Sequence, residues 1–100
     1  MPPLDFHRLA REEVEAYQRR YTRLGVVLGR RFYRAFEEAL DRVEHLPQTC
    51  SPHIHGTRIT PLRKFPYWIV FAERPGQLYV LALMHTSRRP GYWRNRIRKP

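Results

Sequence analysis

Residues 85 to 96 read HTSRRPGYWRNR, and they concentrate groups that do chemistry. His85 closes an apolar run, and its imidazole is the side chain whose free pKa best suits proton transfer near neutral pH. Arg88, Arg89, Arg94 and Arg96 follow at once. Guanidinium groups offer planar, paired donors to phosphate or carboxylate oxygens. Tyr92 and Trp93 add flat faces that can stack on bases. Together these residue types describe one wall of a site for a polyanion. The competing reading is structural: a histidine packed at a strand end, solvated arginines, and Trp93 as a hydrophobic plug, since large aromatics are mostly buried.

The rest of the chain carries few rival sites. Cys50, His53 and His55 could offer soft ligands, but three groups in one loop without a fourth make a poor zinc site, so no metal is expected. Cys50 has no argued base beside it, and no disulfide can form within a chain holding a single cysteine. The run GVVLG (25–29) lacks the lysine and spacing of a phosphate loop. Nothing calls for a cofactor.

These groups need a scaffold, and 100 residues suffice for one small domain with a modest core. The N-terminus lacks the apolar stretch of a signal peptide, and the longest apolar run, around LYVLALM, is strand-sized. A cytoplasmic protein without membrane spans is expected. Charge is unevenly distributed. Residues 1–50 hold nine arginines against eight acids, whereas residues 51–100 hold eight arginines and two lysines against the single acid Glu73. A half so depleted in acids reads as a field directed at something negative.

Periodicity supplies the element order. Leu4 and Phe6 alternate as a short strand after two prolines, which suit an edge. Ala10, Val14, Tyr17 and Tyr21 recur at helical spacing from Arg8 to about Tyr21. Gly25 breaks the run, and a second helix spans about Val26 to His45 with Leu28, Phe32, Ala35, Ala39 and Val43 on one stripe, widened by Phe36 and Leu40. Pro47 ends it. So short a link predicts an antiparallel helical hairpin. A loop follows from 47 to about 53, then three strand segments: HGTRITPL, YWIVFAE and QLYVLALMH. ERPGQ makes the turn between the last two. A short terminal helix is expected with Pro90 in its first turn. The predicted fold class is α+β, order βααβββ, a helical hairpin packed on a small, largely antiparallel sheet.

With that order in place, LRKFPYWIVF and LYVLALMHTSRRPGYWRNR resemble the RelE/ParE superfamily of toxins from bacterial type II toxin–antitoxin systems. The resemblance rests on Arg58, Leu62, FPY (65–67), His85, Arg88 or Arg89, Pro90, Trp93 and Arg96, with LP (46–47) ending the hairpin. It implies a single domain over residues 1–100 and an acidic antitoxin as partner. It also implies one of two targets. RelE-like members cleave messenger RNA on the ribosome, whereas ParE-like members inhibit DNA gyrase without a hydrolytic site.

For RNA cleavage, His85 would serve as acid or base, Arg63 and Arg88 would stabilise the phosphate, and Tyr92 could donate a proton. Arg58, Arg89, Trp93, Arg94 and Arg96 would hold the target. Strand alternation puts Arg58, Thr60 and Leu62 on one face and Arg63 on the other unless Pro61 disturbs the pleat. The sequence leans slightly towards RNA cleavage. A third reading is a basic nucleic-acid-binding module without toxicity.

Overall fold

The computed structural model describes residues 4–98. Its elements are β1 (Leu4–Phe6), α1 (Arg8–Leu24), α2 (Val26–His45), β2 (Ser51–Pro52), β3 (Arg58–Pro61), β4 (Tyr67–Arg74) and β5 (Gln77–His85). The two prolines expected to shape the first edge lie outside the described residues. The α+β order βααβββ holds, with the two-residue β2 added inside the segment expected to be a loop.

His7 starts α1 by an unusual route: its ring Nδ1 accepts the Leu9 N–H at 3.0 Å, doing the work of an N-cap oxygen. The helix runs on to Leu24, past the expected end at Tyr21, because the break comes only at Gly25. Across the hairpin, Gly29 is buried against Thr22. A Cβ at Gly29 would lie 2.9 Å from the Thr22 Cα, so only glycine lets the two backbones approach this closely. Pro47 follows α2 after a single residue, Leu46, as its ring requires.

The sheet order is β1-β5-β4-β3-β2. All pairings are antiparallel except β1 with β5, which makes the sheet mixed. Register jumps from Val70↔Ala82 to Phe71↔Val80, leaving Leu81 as an extra residue in a bulge. The bulge resets the alternation. Leu78, Val80 and Leu83 face the helices, while Tyr79, Leu81, Ala82 and Met84 face the opposite side.

Each side of the sheet has its own core. On the helical side, Tyr21, Phe32, Phe65 and Tyr67 interlock, with Tyr21 and Phe32 stacked at 5.0 Å. On the other, Trp93 is 0% exposed among Val70, Leu81, Ala82 and Met84. The terminal segment is therefore a strap bearing a plug, and the helix expected at Pro90 does not form. Gly91, at φ +84°, turns the chain there, and only a 3-10 turn at Arg94–Ile97 follows.

Candidate functional site

Because β1 pairs only with residues 78–80, the edge of β5 beyond Val80 is left open. Glu13 of α1 fills that gap. Its carboxylate accepts the Leu83 N–H at 3.1 Å and the Tyr92 hydroxyl at 2.8 Å. It also takes both terminal nitrogens of Arg96, at 2.9 and 3.0 Å. Arg96 in turn donates to the Leu81 carbonyl at 3.0 Å, and Arg74 donates to the Ile97 carbonyl. One acid thus substitutes for a missing strand and clasps the strap over the sheet edge. Glu13 carried a legible signal: it lies three residues after Ala10 and four before Tyr17, on the flank of the apolar stripe.

This clasp decides the fate of several residues nominated from the sequence. The Tyr92 hydroxyl already donates to Glu13, and burial, then the adjacent Glu13 charge, pushes its pKa well up. Arg96 is consumed by its ion pair rather than presented to a phosphate. Trp93 has no surface on which a base could stack, so the plug reading is the one its burial supports. Arg58 is tied to Glu73 at 2.8 Å and to the Cys50 carbonyl at 2.8 Å, stapling β3 to β4 and to the segment after α2. Arg63 lines a groove of about 610 Å³ against α2, with Leu28, Arg31, Arg34 and Phe65, instead of joining His85.

His85 ends β5 opposite Tyr67, half-buried, with its ring edge-on to that tyrosine at 5.1 Å. The turn after it is held by the Thr86 N–H on the Pro66 carbonyl, which gives FPY its role. His85 Nδ1 receives the Ser87 backbone N–H at 3.0 Å, with the Ser87 hydroxyl 2.7 Å away. A backbone N–H can only donate, so the matching neutral tautomer carries its proton on Nε2. That bond ties the ring to the turn that follows the strand.

Besides Arg63, three nominated arginines are exposed. Arg88 lies over the Tyr92 ring at 3.9 Å. Arg89 and Arg94, together with His55, line a shallow hollow of about 460 Å³ along Pro90–Tyr92. His55, read from the sequence only as a soft metal ligand in a distant loop, joins the hollow with its ring 6.1 Å from Trp93. His85 is not among the residues that line this hollow, while Arg88 reaches its wall through Tyr92. His53 packs against Trp93 at 6.0 Å, and burial, then the neighbouring His55, lowers its pKa. The one group of metal-type side chains within reach of one another among the described residues is Asp41, Glu44 and His45, with Asp41 and His45 exposed and Glu44 half-buried.

A helical hairpin on a five-stranded mixed sheet, closed by a basic strap, makes this a toxin of the RelE/ParE superfamily. The model of the ParE toxin of type II toxin–antitoxin systems, parDE, matches residues 4–90, and the chain belongs to that family. No curated protein matches the sequence. Among solved structures, a chain of the chromosomal ParDE TA system from P. aeruginosa superposes with a TM-score of 0.75 at 16% identity, covering 87% of this chain and 98% of that one. At that identity the likeness concerns the fold. Among the described residues no helix is long and apolar enough to cross a membrane.

Proposed function

We propose that this toxin arrests growth in the cytoplasm by binding and inhibiting DNA gyrase, without cleaving RNA, and that an acidic antitoxin neutralises it. The observation that carries the reading is the clasp of Tyr92 and Arg96 on Glu13. In-line cleavage by a 2′-hydroxyl needs a base, an acid and cations at one phosphate. Here the phenol is committed to a carboxylate, Arg63 stands in the α2 groove, and His85 Nδ1 is engaged by the Ser87 N–H. What remains are exposed cations, suited to binding an anionic surface. Membership in the ParE family points the same way.

The test combines plasmid topology with transcript integrity after induction in the absence of antitoxin. Relaxed plasmid or trapped gyrase–DNA breaks are expected, alongside intact messenger RNA. His85→Ala is expected to leave gyrase inhibition in place. Discrete cuts in messenger RNA with normal supercoiling, abolished in that same variant, would restore the RNA-cleaving reading.

A further inference from the structure

We infer that the tip of the helical hairpin is the knob that engages the toxin's target protein. The inference rests on the gyrase reading and identifies the surface used. Although the first fifty residues are nearly neutral, their charges are segregated along the hairpin. Residues 16–36 contain Arg19, Arg20, Arg23, Arg30, Arg31 and Arg34 and no acid at all. Every acid in that half lies before Ala16 or after Phe36. Antiparallel pairing places all six arginines in the half of the hairpin nearer its tip, with Glu15 and Glu38 bordering them at mid-height and the remaining acids towards the base. All six are exposed, and among the described residues none forms an ion pair.

At the apex of this collar sit Leu24, Val26 and Val27, exposed by 72%, 59% and 60%. Scattered exposed aliphatics are ordinary, but three within four residues at the turn of the hairpin, with cations along both helices below them, make an apolar tip. The knob is preformed, because Gly29 packs directly on Thr22 and holds the two helices together at this level. A rigid element loses little freedom on docking.

The chemistry selects the occupant. A nucleic-acid backbone would take the arginines but offers no seat for three aliphatics. A second copy of the chain would bring its own cationic collar and be repelled. An antitoxin segment that folds on docking is itself convex and fits a groove, such as the one floored by Leu28, Ala35 and Phe65 beside Arg34 and Arg63. A convex apolar tip with a basic collar fits an apolar pocket rimmed by carboxylates on a folded protein. That partner is the target enzyme.

The test uses the full-length toxin carrying Val26→Glu and Val27→Glu. These positions open α2, where the helix dipole favours acids, so the fold is retained; thermal melting checks it. Inhibition of supercoiling by purified gyrase, and affinity for the acidic antitoxin, are measured for wild type and variant. Inhibition is expected to weaken by about tenfold or more while antitoxin affinity holds, as for loss of a buried interface anchor. Undiminished inhibition by the variant would overturn the inference, and so would a loss confined to antitoxin binding. A wild type that leaves gyrase unaffected removes the target itself, a failure of the function reading visible in that sample alone.

Discussion

Replacing Glu13 with alanine tests the clasp that holds the strap. The substitution removes the acceptor shared by the Leu83 N–H, the Tyr92 hydroxyl and the Arg96 guanidinium. The Arg96 and Glu13 side chains are only 12% and 14% exposed, so solvent does little to compensate. Breaking a buried ion pair from one side costs about 3–5 kcal/mol, because a charge stays behind without its partner. Each stranded hydrogen-bond donor costs a further ~1–3 kcal/mol, but these terms share one carboxylate and do not add. We expect a loss of about 4 kcal/mol, a large part of the ~5–15 kcal/mol that holds a typical domain.

For a domain of this size each kcal/mol moves Tm by about 4–8 °C, so the midpoint should fall by roughly 15 °C or more. Urea denaturation followed by far-UV circular dichroism and by tryptophan emission measures it, with Trp93 reporting on the strap. The double variant Glu13→Leu with Arg96→Met should recover much of the loss, since removing both charges leaves neither stranded. A cost below about 1 kcal/mol for Glu13→Ala, or a double variant as poor as the sum of the singles, would refute the reasoning.

Two other consequences are open to measurement. Gly29→Ala should destabilise despite alanine's better helix propensity: the new methyl meets the Thr22 backbone, overpacking that costs about 1–3 kcal/mol against a propensity gain of ~1 kcal/mol. Equal or higher stability in urea would show that the helices do not touch there. Burial, then Arg96 and Arg8, lowers the pKa of His7 below its ordinary value of 6.5, and the neutral ring caps α1. The unfolded chain therefore binds the proton more readily, so this contribution is complete above about pH 6.5 and declines as pH falls below it. His7→Asn keeps a capping acceptor that does not titrate, and its stability profile between pH 7 and 5 should be the flatter of the two; parallel profiles would count against the cap.

Much of the scaffold was legible because local rules govern it. The helical stripes from Ala10 to Tyr21 and from Leu28 to Val43, the break at Gly25, the stop at Pro47 and the turn at ERPGQ each follow from neighbours a few residues apart. The candidate site was legible only in composition. The sequence shows that the stretch after His85 is basic and aromatic. It does not show that Arg96 would be spent on an acid 83 positions away.

What the sequence alone determined, then, is the order of elements, the segregation of charge and the kinship with RelE/ParE toxins. Tertiary structure decided which cations stay available. The short reach of β1 leaves the β5 edge open, and an open edge must find partners for its N–H and C=O groups. Glu13 and Arg96 supply them, taking Tyr92 out of service and folding Trp93 beneath the strap. Pairings of that kind depend on where separate elements come to rest in space, and no local pattern of residue types encodes it.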